Sequence, residues 1–198
     1  MDFASMWSVF YDQMFTYNGY KKVLDGLLAT AEIAVFGLLI GIVIGTVLAI
    51  AKVVPKYHVF PRICSGIAGV YIAIFRGTPM VVQLLIGYFV LMPALGISAQ
   101  PLGVAILIFG LNSGAYVSEI MRSGINSVDR GQLEAGRAVG LSYSVSMFKI
   151  VIPQAIKNIL PTLGNEFIVL VKETSVASFI AVTDLTKAFR DIADANYE

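Results

Sequence analysis

An all-α integral membrane protein, one domain over residues 1–198 with four bilayer spans, is the fold class this sequence predicts. Three observations lead there. Of its 198 residues, 57% are hydrophobic and 14% charged, with a mean hydropathy of +0.79; soluble domains carry about 25% charged residues. The apolar residues come in long runs, and about 20 of them suffice to cross roughly 30 Å of hydrocarbon as a helix. Basic residues gather in short stretches between those runs, as in loops retained on the cytoplasmic side.

The same composition narrows function. A formal net charge of +1, with no basic tail or acidic run, excludes a nucleic-acid binder. The lone Cys64 excludes an intrachain disulfide and reads as a small buried apolar side chain. His58 has no His or Cys neighbours at metal-ligand spacing, so no metal site is expected. No P-loop, GxSxG, HExxH or CxxC is present. The chain is therefore read as a non-enzyme, and any energy source must be another chain or an ion gradient.

Taken in order, residues 1–22 mix Trp7, Phe10, Tyr11, Phe15, Tyr17 and Tyr20 with Asp2, Asp12, Lys21 and Lys22. That mixture suits a partly helical segment at the membrane interface rather than a cleavable signal peptide. Leu27 to Ala51 is the clearest span, with Glu32 its only charge. Gly37, Gly41, Gly45 and Ala49 recur every four residues, a small-residue stripe that permits close helix approach, within the fold or at a subunit interface. Lys52, Lys56 and Arg62 place the next loop in the cytoplasm and hence the N-terminus outside.

The second span, Ile63 to Met92, is interrupted at Arg76-Gly77-Thr78-Pro79. Proline removes a backbone donor and restrains its predecessor, so a break near Thr78 is predicted. An arginine there needs a protein or water partner, either in a transport path or in a structural pair with Glu119 or Glu166. Pro93 to Pro101 forms an uncharged outer turn before the third span, Pro101 to Met121, on which Asn112, Tyr116 and Glu119 share one helical face. The fourth span, Ile150 to Val171, is interrupted by Gln154, Lys157, Asn158, Asn165 and Glu166 and by Pro153 and Pro161. A helix this polar must face protein or a water-filled cavity. Beyond it, Leu185, Ala188, Phe189 and Ile192 form the apolar stripe of a short outer helix that Thr183 or Asp184 can cap.

Between the third and fourth spans lies Asp129 to Pro153. Its charges cannot sit unpaired in hydrocarbon, Gln132 to Ala138 favours helix, and Gly140 is a natural terminator before a new helix near Ser142. A short exposed helix of this kind is a handle for a partner.

Glu134-Ala135-Gly136, three residues, Gly140, nine residues, then Ile150, Ile152 and Pro153 resemble the EAA loop of permease subunits of bacterial ATP-binding-cassette (ABC) importers. Gly136 replaces the usual third Ala, at a cost to helix of about 1 kcal/mol, and Ile152 replaces Leu. Phe75 to Pro79, Ala115-Tyr116 with Glu119-Ile120-x-Arg122, and Leu163 to Phe167 look like the polar amino-acid permeases, the histidine, glutamine, arginine and opine group. The resemblance implies the transmembrane domain of a type I ABC importer, multi-pass in the bacterial cytoplasmic (inner) membrane, moving polar amino acids. It implies that Leu133, Glu134, Ala135, Gly136, Gly140 and Pro153 couple to an ATPase dimer, which binds the ATP and Mg2+, this chain binding no cofactor. Glu134 then pairs with the ATPase or with its own Arg130 or Arg137. Further partners implied are a second permease subunit, a copy or a related chain, and an extracytoplasmic solute-binding protein. The resemblance also implies a fifth span, usual in the family, which would follow Glu198.

Arg76, Asn112, Glu119 and Glu166 are the candidate lining of a midplane solute path, since intramembrane ionisable groups near broken helices are where transporters hold polar solutes. Competing readings are a permease for methionine or an oxyanion, an ion-coupled secondary amino-acid transporter using Glu32, Glu119 or Glu166, and a non-transporting scaffold.

Overall fold

The computed structural model describes residues 3–55 and 57–194, and every regular element in them is helical. Asp2, Lys56 and Glu198, which the reading above invokes, lie outside these residues. The aromatic N-terminal segment forms α1 (Phe3–Tyr11) and a π-helical turn (Asp12–Thr16), with Trp7 60% exposed. Asn18, in the left-handed region at φ 58°, redirects the chain into α2 (Gly19–Val53), 35 residues long. That helix begins eight residues before the expected span. Its early polar turns are held by packing at the other end of the sequence, described below.

α3 (Val59–Gly77) ends at the expected break: Thr78 is extended and Pro79 starts α4 (Met80–Leu85). α4 runs through a π-helical turn (Ile86–Leu91) into α5 (Met92–Ala94), and α6 (Pro101–Asn126) follows. α7 (Arg130–Ala138) is the short polar helix. α8 (Tyr143–Ser146), another π-helical turn (Met147–Val151) and α9 (Ile152–Glu173) are continuous, and a 3-10 turn (Thr174–Ile180) leads to α10 (Leu185–Asp194). Both of the longer helix runs interrupted by π turns carry a proline two residues past the turn, Pro93 and Pro153. A proline cannot donate the helical hydrogen bond, and the wider turn before it absorbs the mismatch. Among the described residues, α2, α3 and α6 are long and apolar enough to cross a membrane. α9 has the length, 22 residues, but carries Lys157, Glu166, Lys172 and Glu173.

α2 and α6 form the centre. Their glycines interlock in both directions. A methyl group on Gly41 would lie 2.6 Å from Ser113 Oγ, and one on Gly45 would lie 2.7 Å from Val117 Cγ1. Reciprocally, a methyl on Gly110 or Gly114 would meet Ile40 Cγ2 at 2.6 Å or Ile44 Cγ2 at 2.7 Å. The stripe at Gly37, Gly41, Gly45 and Ala49 is thus buried within the fold, while Val43 and Val47 on the opposite face are exposed. Helices in lipid gain little from hydrophobic exclusion, so this backbone approach and its dispersion contacts supply the association.

At the far end of α2, Ile33 packs with Phe109, Leu84, Leu170 and Ile180 in one apolar cluster. Beside it α10 lies across α2: Ala188 is fully buried, and a methyl on Gly26 would stand 3.0 Å from Ala188 Cβ. The buried Asp184 carboxylate caps α10 by accepting from the Thr186 and Lys187 amides at 3.0 and 3.2 Å, as anticipated, and the Leu185 amide donates to Thr30 Oγ1 at 3.1 Å. Cys64, expected buried, is only partly so, because Ser65 and Ala68 are the residues that α3 buries.

Candidate functional site

Two places on this scaffold carry polar chemistry. The first is a cavity of about 490 Å3 between α3, α6 and α9. α6 supplies Tyr116, Glu119, Ser123 and Ser127, and α9 supplies Asn158, Thr162, Asn165 and Glu166. These sets follow helical spacing, and each runs about 12 to 16 Å at 1.5 Å per residue. Arg76, just before the α3 break, completes the polar lining.

Glu119 is the carboxylate that both arginines share. Arg122 grips Glu119 with Nη2 at 2.6 Å and Nε at 3.2 Å, an i,i+3 pair on α6. Arg76 Nη1 stands 4.0 Å from the same carboxylate, and its guanidinium lies over the Tyr116 ring at 5.2 Å. Glu166 accepts from the Ser113 hydroxyl at 3.4 Å. Toward α7, Asn158 Nδ2 donates to Ser127 Oγ at 2.8 Å, joining α9 to α6. Arg76, Glu119 and Glu166 therefore meet in one cavity. Asn112 does not line it: this buried amide points between α3 and α6, bonded to the Phe75 carbonyl at 3.2 Å and to Gln83 Oε1 at 3.0 Å.

Sequence reasoning passed over Ser123, Ser127 and Thr162 as cavity groups, although Tyr116, Glu119, Ser123 and Ser127 continue one helical face. Gln83 had no periodic signal. It is a single amide in an apolar run.

The second place is α7. Asp129 caps it, its carboxylate accepting from the Gly131 amide at 2.6 Å. At the other end Gly140 has φ +88°, with Gly140 N–H to Arg137 C=O at 3.0 Å and Leu141 N–H to Gly136 C=O at 3.1 Å. This pair of bonds is the Schellman motif, whose left-handed position glycine fills without a Cβ penalty. Gly136 is the buried residue of α7 and faces its own chain: a methyl there would lie 2.8 Å from Ser146 Oγ and 2.9 Å from Ile150 Cδ1. Ala135, Ala138 and Val139 face away, and Val139 is 78% exposed. Leu133 and Glu134 line a further cavity of about 290 Å3 shared with Val53, Tyr143 and Met147. Among the described residues Glu134 forms no ion pair with Arg130 or Arg137. Pro153 is exposed in the first turn of α9.

A multi-span helical bundle with a charged cavity along its packed helices and a short polar helix at one end has the layout of a membrane permease component. The comparisons give the family. The sequence profile described as "Binding-protein-dependent transport system inner membrane component" matches residues 37–197, and the chain belongs to that family. It is 39% identical over 187 residues to a Rickettsia prowazekii permease protein named for glutamine transport, GlnP, covering 93% of this chain and 84% of that one. It is 40% identical over 175 residues to the arginine transport system permease protein ArtQ of Bacillus subtilis, covering 88% and 78%. A crystal structure of an amino acid ABC transporter with histidines superposes with a TM-score of 0.84 at 36% identity, covering all of this chain and 85% of that one. The architecture is accordingly that of an ABC importer permease, carried by a multi-pass inner-membrane protein.

Proposed function

We propose that this chain is the permease subunit through which an ATP-driven importer moves polar amino acids, with the cavity beside Arg76 as its solute path. One observation carries the reading: a guanidinium, two carboxylates, amides and hydroxyls face a common cavity between packed helices. The similarity to permeases named for glutamine and arginine transport points to the same solute class. A zwitterion presents a carboxylate and an ammonium, and it needs partners of both signs once it leaves water. Arg76 suits the carboxylate, and Glu119 and Glu166 suit the ammonium or a cationic side chain. Asn112 stands outside this path, bonded to α3 and Gln83 beside it.

Arg76 and Tyr116 are partly exposed on the single chain, which supports a second permease subunit, a copy or a related chain, closing the path from the opposite side. The exposed face of α7 supports docking on an ATPase dimer that binds the ATP and Mg2+. Ala135 is small enough for close contact, Glu134 is available to a basic partner, Leu133 and Gly136 seat the helix on its own chain, and Gly140 and Pro153 bound the segment. In this orientation α7 is cytoplasmic, the N-terminus is outside, and an extracytoplasmic binding protein delivers the solute to the end carrying α10.

The test is labelled amino-acid uptake by the whole complex in proteoliposomes. Glu166→Ala and Glu119→Ala are each expected to lower uptake more than tenfold at unchanged insertion, and wild-type uptake by both would reject the cavity as the path. ATP depletion should stop uptake. Uptake that survives depletion but collapses with an ionophore would indicate an ion-coupled carrier instead.

A further inference from the structure

The break between α3 and α4 leaves backbone acceptors without helical partners, and side chains from two elements take them up. In a continuous helix the Phe75 carbonyl would accept from residue 79. That residue is Pro79, which has no N–H. Gln83 Nε2 lies 2.8 Å from the Phe75 carbonyl, 3.0 Å from the Thr78 carbonyl and 2.9 Å from Thr78 Oγ1. Asn112, on α6 and only 6% exposed, adds a second donor to Phe75 O at 3.2 Å and gives its other hydrogen to Gln83 Oε1 at 3.0 Å. The Thr78 hydroxyl donates to the Ile74 carbonyl at 2.8 Å. Two primary amides, each with two N–H groups, thereby tie three segments together. One turn earlier the Tyr71 hydroxyl fastens α3 to α6 again, donating to the Leu111 carbonyl at 2.6 Å.

The residue that follows Phe75 is Arg76, whose side chain is 43% exposed and, among the described residues, meets the Tyr116 ring and approaches Glu119 at 4.0 Å. Those contacts are too loose to set where the guanidinium stands. Its backbone is set instead, by the bonds on the neighbouring carbonyl. We infer that Gln83 and Asn112 are positioning residues that hold the broken end of α3 against α6 and so present Arg76 to the solute path. Neither amide needs to touch the solute. The inference rests on the path reading above, which Glu166→Ala tests without reference to Arg76.

The experiment is a double-substitution cycle in the reconstituted whole complex, measuring uptake and the uptake obtained per ATP hydrolysed. Gln83→Glu keeps the shape of the side chain but removes its amide donors. Expected are a loss of uptake of at least tenfold in Gln83→Glu, a similar loss in Arg76→Ala, and no more than a further twofold loss when both are combined, with ATP hydrolysis falling less than uptake. A merely structural role would lower uptake and hydrolysis in proportion and would multiply with Arg76→Ala. Multiplying losses, uptake within twofold of wild type in Gln83→Glu, or unchanged uptake in Arg76→Ala would each overturn the inference. Gln83→Asn, which retains the amide one methylene shorter, carries the same cycle should Gln83→Glu not assemble. Loss of uptake in Glu166→Ala alongside an additive Gln83 cycle would leave the path standing and remove only the positioning role.

Discussion

The two faces of α6 are built by opposite rules. One lies against α2, where Gly110 and Gly114 receive Ile40 and Ile44 and where Ser113 and Val117 enter the spaces over Gly41 and Gly45. That face is tightly packed, and its geometry tolerates almost no added volume. The other carries Tyr116, Glu119, Ser123 and Ser127 beside a cavity of about 490 Å3. Its side chains are linked by a handful of polar bonds. A helix so divided couples a rigid mount to an adaptable wall, and the lesson is that substitutions on the two faces should fail in different ways: the first in folding, the second in transport.

The sharpest way to break the comparison is Gly41→Leu. Its side chain has no room beside Ser113, and overpacking of this kind costs about 1–3 kcal/mol or more. Thermal unfolding of the purified complex in detergent should show a large loss of stability with loss of uptake. A protein of unchanged stability would refute the interlock. Gly140→Leu comes next. A side chain in the left-handed region costs about 1–2 kcal/mol, confined to the end of α7, so insertion should persist while ATP-coupled uptake disappears. Normal coupling in that variant would rule out α7 as the element that docks on the ATPase. A smaller effect is expected of Gly136→Ala, because the two nearest atoms it meets, Ser146 Oγ and Ile150 Cδ1, are side-chain ends that can shift. Coupling should weaken severalfold and recover in part with Ser146→Gly, measured as uptake per ATP hydrolysed. Ser127→Ala sits at the mild end: it removes the bond from Asn158 and the hydroxyl's own bond to the Gly124 carbonyl, each worth about 1 kcal/mol, and should lower uptake without moving the unfolding temperature by more than a few degrees.

Much of this organisation is written locally. The four-residue stripe on α2, the break at Thr78, the Asp184 cap and the terminator at Gly140 each follow from residues within a turn or two of one another. The cavity face of α6 was half legible, since Asn112, Tyr116 and Glu119 shared a predicted face. Asn112 nonetheless turned from the cavity because an orphaned carbonyl 37 residues earlier competed for its amide. Gln83 was silent, because a lone amide in an apolar run has meaning only beside the acceptors it satisfies.

By itself, then, the sequence determined where helices form, where they stop and which of their faces cannot meet lipid, because backbone sterics, capping and the cost of burying charge act over a few residues. Only the tertiary structure decided what each face meets. It set the α2 glycines against α6, turned Gly136 inward upon Ser146, brought Arg76 from α3 to the Glu119 carboxylate, and joined Gln83 to Asn112. Those choices depend on helix-to-helix distances of a few ångströms, and a small-residue stripe in one helix permits a close approach without naming the helix that makes it.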